Sequence, residues 1–155
     1  MLKRFATLFG GNAPATDEAP ADAVHLATCV ILLEAARADD HFCDEERRHI
    51  LSVLRGRFAL STEEANELLL QAEIARDESA DLFQFTRQIN AAYSVPEKIK
   101  IVEEVWRIFY ADNELDGHED HLARKLQHLL NLNHPTMIEA KMRVLAEIRG
   151  ESPPA

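Results

Sequence analysis

The stretch SVPEKIKIVEEVWRIFYADNELDGHEDHL, residues 94–122, contains the fold's repeating logic in one piece. Ser94 is a residue type that caps helix N-termini, and Pro96 falls in the first turn, where its missing N–H is tolerated. Ile99, Ile101, Val102, Val105, Trp106, Ile108 and Phe109 then cover more than half of the helix circumference. A helix apolar on so many sides is packed centrally. An acidic segment follows, from Asp112 to Glu119, and helical period resumes with Leu122, Leu126, Leu129 and Leu130 over residues 117–131. The unit is helix, acidic turn, helix.

The same period runs through the rest of the chain. Residues 22–38 place Ala23, Leu26, Ala27, Val30 and Leu33 on one face, with Asp22 as the expected N-cap. Residues 44–58 carry Ile50, Val53, Leu54 and Phe58. Ser61 and Glu64 form a capping box ahead of Ala65, Leu68, Leu69 and Ala72. A further helix is expected from Ser79, with Leu82, Phe85, Ile89 and Ala92 inward. After NLNHP a last helix carries Met137, Ile138, Val144, Leu145 and Ile148. No strand-like alternation occurs. The expected fold is all-α, a compact seven-helix bundle formed by residues 22–149. Residues 1–21 read as a short amphipathic segment and a Gly/Ala/Pro-rich flexible linker, and residues 150–155 as a disordered tail.

The bulk numbers narrow the function. In a chain of 155 residues, 46% are apolar and 28% charged, enough for one domain with a sizeable core. A net charge of −10 excludes a nucleic-acid partner, whose phosphates require a basic face, and favours cations or basic proteins. Cys29 and Cys43 make neither a CxxC nor a zinc-ligand spacing, which points to a reducing, cytoplasmic setting. No apolar run reaches the ~20 residues of a membrane span. MLKRFATLFGG at the start lacks the apolar core of a secretion signal. With Leu2, Phe5, Leu8 and Phe9 on one face beside Lys3 and Arg4, residues 1–10 suit peripheral contact with the inner membrane or a protein partner. A frayed terminal helix is the plainer alternative.

A shift of 73 residues superimposes two acidic stretches, ADDHFCDEE at 38–46 and ADNELDGHE at 111–119. Ala38 falls on Ala111, Asp39 on Asp112, Asp40 on Asn113, Phe42 on Leu115 and Glu46 on Glu119. Helix-start chemistry explains much of this charge. Asp116 and Glu119 make a capping pair, Cys43 or Asp44 holds the equivalent place, and the macrodipole favours anions in a first turn. It does not explain Asp39 and Asp112, which follow the C-terminal end of a helix, where the dipole disfavours an anion. Carboxylates brought together from both sides of a turn are what hard cations need.

An Ala-Asp-Gly-x-apolar-x-x-x-Glu pattern after an apolar helix, present twice at this separation, is similar to that of the TerB-like domain family. That family comprises tellurite-resistance proteins of the TerB type and the N-terminal region of membrane-anchored DnaJ-like co-chaperones. The resemblance covers roughly residues 22–149, with Asp40 and Asn113 standing where the family has glycine. It implies a seven-helix fold with the two acidic turns close together and a bound metal ion. The matching positions are Asp39 and Glu46 in the first copy, Asp112 and Glu119 in the second. Asp40, Asn113 and Asp116 would complete the site, and the ion would be calcium or magnesium ahead of zinc. The implied role is a non-enzymatic stress-response module, a sensor, scaffold or adaptor toward other proteins.

Rival chemistries fit less well. An EF-hand beginning at Asp112 would need its bidentate glutamate at Ala123. A di-iron carboxylate site needs Glu-x-x-His twice; Glu46 and His49 supply one, but Glu119 is followed by Leu122. His118 and His121 could ligate a transition metal or stay solvated. Cys43 lies among carboxylates that raise its pKa, and no glycine-rich phosphate loop exists. Trp106, Phe109 and Tyr110 are expected in the core; Arg47, Arg48, Arg55 and Arg57 are expected to offset the acidic face, or else to contact phosphate or lipid. Two alternatives to the cation module therefore stand: a metal-free interaction domain with an acidic face, and a metal-dependent enzyme using Glu46 and His49.

Overall fold

Local capping chemistry starts three of the helices. Ser61 accepts a hydrogen bond from the Glu64 amide while Glu64 accepts one from the Ser61 amide, and Ser94 and Glu97 do the same. Asn133 accepts from the Thr136 amide. The computed structural model describes residues 21–37, 44–110 and 117–150. These form seven helices: α1 (Ala21–Ala36), α2 (Asp44–Phe58), α3 (Thr62–Asp77), α4 (Phe83–Ala92), α5 (Val95–Phe109), α6 (Gly117–Leu129) and α7 (His134–Ile148). No strand occurs among the described residues. The N-terminal segment and linker expected over residues 1–21, apart from Ala21, lie outside the described residues, as does most of the tail.

Two helix starts differ from expectation. Asp22 lies inside α1, which begins at Ala21, so it is not the cap. Ser79 does not open α4. Its hydroxyl bonds back to the Ala75 carbonyl at 2.7 Å, closing α3, and α4 begins at Phe83, whose amide is held by Asp81 at 3.0 Å.

The innermost helix is α1. Beyond the face expected to be buried, Cys29, Ile31, Leu32, Ala35 and Ala36 are also buried, and α2, α3, α4 and α5 all pack against it. Its buried Thr28 satisfies its hydroxyl on the Val24 carbonyl. On α5, Ile101, Val102, Val105, Trp106, Ile108 and Phe109 are buried, between α1 and α7.

Long-range contacts set the helix directions. His25, near the start of α1, stacks on Phe58 at the end of α2 with centroids 3.8 Å apart, so the pair is antiparallel. Arg76, in the last turn of α3, grips Glu34 near the end of α1 through two bonds of 3.0 and 3.1 Å. The pairs Arg143–Glu103 and Arg107–Glu147 join successive turns of α5 and α7 in the same order, so these run parallel. The start of α5 shares a cleft with the start of α1 and the end of α2, so α1 and α5 set out from one end of the bundle. Lys98, in the first turn of α5, donates to the Leu130 carbonyl just past α6 at 2.8 Å, so α6 returns antiparallel to α5. The ends of α1 and α5 and the starts of α2 and α6 therefore lie together at the opposite end. A shift of 73 residues carries Ala36, which ends α1, onto Phe109, which ends α5, and Asp44, which begins α2, onto Gly117, which begins α6.

Lys98 is only 6% exposed, and its ammonium also donates to Asn90 Oδ1 at 3.2 Å. A cation on the terminal carbonyls of α6 complements that helix's dipole. Lys98→Met keeps the apolar stem but strands two acceptors. It is expected to cost about 1.5–3 kcal/mol, read as a thermal midpoint lower by roughly 3–10 °C; an unchanged midpoint would show the latch to be idle.

The Arg107–Glu147 pair gives a pH signature. Its hydrogen bonds to Arg107, at 2.7 and 3.0 Å, hold the Glu147 carboxyl below its ordinary pKa. A depressed carboxyl contributes stability that is complete above the unfolded pKa and is lost as pH falls through the folded value. In Arg107→Gln the Glu147 titration, followed by NMR, should move up toward about 4.3.

Candidate functional site

Two of the seven carboxylate and amide candidates lie within the described residues. Glu46 sits in the first turn of α2, half-buried, and Glu119 is the third residue of α6. Asp39, Asp40, Asp112, Asn113 and Asp116 lie outside the described residues. Both glutamates thus project from helix N-termini at the end of the bundle where α1 and α5 finish.

Glu119 is 3% exposed. Taking a carboxylate out of water costs several kcal/mol unless a cation, a metal or hydrogen bonds compensate. The positive end of the α6 dipole meets part of that cost. Glu119 and Glu46 offer hard oxygen, the donor type suited to calcium or magnesium. Among the described residues no group of three or more His, Cys, Asp or Glu is placed to hold a metal ion.

Arginines brace this end. Arg47 bonds to Glu73 at 3.0 Å, Arg76 to Glu34, and Arg37 lies 3.7 Å from Asp77. Arg47 thus offsets acidic charge as expected, but on α3. His49, one turn after Glu46, is half-buried, and its Nε2 has no hydrogen-bond partner among the described residues. In the second helix pair Leu122 is buried at the matching place, and Ala123, where an EF-hand needs its glutamate, is 5% exposed and faces the core. His121 is exposed. Burial, reinforced by Glu73, pushes the Cys29 thiol far above its ordinary range, so it is no nucleophile. Cys43 lies outside the described residues.

A family model described as tellurite resistance protein TerB matches residues 25–142. The chain belongs to the TerB family. The match runs from His25 in α1 to Met142 in α7, so it spans both acidic stretches and all seven candidate site residues. No curated protein and no solved structure matches the chain. No helix among the described residues of this TerB domain is long and apolar enough to cross a membrane.

Sequence reasoning missed the cleft at the other end of the bundle, a space of about 720 Å³. Its walls come from three helices, α1, α2 and α5, and the α4–α5 junction, which no local pattern brings together. One sequence signal marks it: Gly56, inside α2, where glycine costs about 1 kcal/mol relative to alanine. A Cβ there would meet nothing within 4 Å, so packing does not require the glycine. Gly56→Ala is expected to raise stability by about 0.5–1 kcal/mol in urea unfolding; a loss would mean the site is tighter than its geometry indicates.

Proposed function

We propose that this TerB domain is a non-enzymatic stress-response module that binds a divalent cation at its acidic end. Asp39, Glu46, Asp112 and Glu119 would supply the carboxylates, helped by Asp40, Asn113 and Asp116, with calcium or magnesium ahead of zinc. Cation binding would draw two like-charged segments together and stiffen the helix starts, giving a sensor, scaffold or adaptor for protein partners on the cytoplasmic side of a membrane. One observation carries the reading: the helix ends that flank the two acidic stretches share one end of the bundle, and Glu119 there is 3% exposed.

Family membership supports a tellurite-resistance-type module in general; the cation and the adaptor role are this proposal's own content. A metal-dependent enzyme gains one favourable detail, the Nε2 of His49, unpartnered among the described residues and one turn from Glu46. A metal-free acidic face remains the plainer competitor.

Calorimetric titration of the full chain with calcium, magnesium, manganese and zinc separates these readings. Heat for one of them is expected. At a hundred times its Kd a ligand stabilises by about 2.7 kcal/mol, a chelator-sensitive midpoint shift of roughly 5–10 °C at this size. Asp39→Asn with Asp112→Asn should abolish that shift while leaving the chelated midpoint unchanged or higher, because like-charge repulsion eases. Silence for every ion would leave the metal-free face, and stoichiometric iron or manganese in the purified protein would favour the enzyme.

A further inference from the structure

We propose that the cleft between the starts of α1 and α5 and the end of α2 binds a planar aromatic anion, a ring carrying a carboxylate, phosphate or sulfonate. Three independent features of its walls converge on that chemistry. The first is aromatic. His25 and Phe58 lie stacked at 3.8 Å and 17°, and the half-buried Tyr93 stands on the same cleft. Flat apolar surface with polar rims is what a ring stacks against.

The second is charge. Of the two carboxylates on the cleft, Glu104 is paired with Arg107 at 2.7 Å, and Glu97, which accepts from the Ser94 amide and hydroxyl at 3.0 and 2.9 Å, keeps its charge near Lys100. Arg57 and Lys100 line the same space, are exposed, and have no ion pair within 4.0 Å among the described residues. A protein of net charge −10 thus presents available positive charge at this concave place. Arginine and lysine together recognise carboxylate, phosphate or sulfonate oxygens.

The third is Gly56. It stands on the α2 wall with open space where its side chain would be. Glycine inside a helix is unfavourable, and here no neighbour and no left-handed backbone demands it. Its absent side chain lets a ring lie directly against the α2 backbone between the aromatic wall and the two cations. The volume, about 720 Å³, suits a small organic molecule. This site lies at the far end of α2 from the acidic segments and does not depend on the cation.

The test uses the full chain and three probes: 8-anilinonaphthalene-1-sulfonate, naphthalene-methanol and inorganic phosphate. The sulfonate should bind one per chain, with each of the others weaker by about tenfold or more, because ring and charge are read together. Gly56→Leu fills the open space, should keep or raise the melting midpoint, and should weaken sulfonate binding about tenfold or more. Arg57→Gln and Lys100→Gln, both at exposed positions, should each weaken it several-fold, most at low salt. They carry the test should Gly56→Leu misfold. Equal binding of the charged and neutral rings would overturn the proposal. So would a folded Gly56→Leu protein that binds the sulfonate undiminished, or glutamine variants that bind it as the parent does.

Discussion

The near-complete burial of α1 is the constraint from which the rest follows. From Ala23 to Ala36 only His25 and Glu34 are partly exposed, and enclosing the remainder takes α2, α3, α4 and α5 together. Each fully buried Leu, Ile or Val contributes about 1.5–3 kcal/mol, and Leu26, Val30, Ile31, Leu32 and Leu33 are all within 1% of complete burial. Polar side chains at these positions would lie unsatisfied, so most charged residues of the sequence fall on the outer helices and on the segments beyond the helix ends.

Charge at those ends follows the helix dipoles. The acidic first turns of α2 and α6 meet positive helix starts, while Arg76 and Arg107 stand in the last turns of α3 and α5, where cations are favoured. Helix starts and helix finishes both occur at this end of the bundle, so carboxylates and guanidinium groups occur there together. That arrangement stabilises Glu46 and Glu119 in part. It leaves unexplained why Asp39 and Asp112 follow helix finishes, and it is there that helix-start chemistry stops accounting for the acidic pattern.

Legibility in the sequence divided along the line between local and tertiary chemistry. The capping box at Ser61 and the cap at Ser94 were readable because the residues that form them are close in sequence, and the seven helices emerged from periodicity. Ser79 misled because a serine can finish one helix as readily as start the next, and here the Ala75 carbonyl claims its hydroxyl. On α1 one buried face was legible, but not that Ile31 and Leu32 are buried too, because a helix rich in small and apolar residues shows little contrast between faces. Lys98 reads as a surface lysine until α6 brings the Leu130 carbonyl to it. At the candidate site the residue types and spacing were legible, and Glu119 proves to be buried. Sharing of one bundle end needed the helix directions, which only contacts such as His25 on Phe58 supply.

Those directions also separate two kinds of chemistry along a single element. α2 has 15 residues and so is about 22 Å long. Its first turn carries Asp44, Glu45 and Glu46, and its last carries Arg55 and Arg57. The same polarity that suits the helix dipole therefore places an anionic end toward α6 and a cationic end toward the start of α5. Two unit charges 22 Å apart at the surface are screened well within that distance at physiological salt, where the Debye length is about 8 Å. Each end can thus keep its own sign without cancelling the other. This is how a chain of net charge −10 presents Arg57 and Lys100 at one concave place although the first turn of the same α2 is acidic.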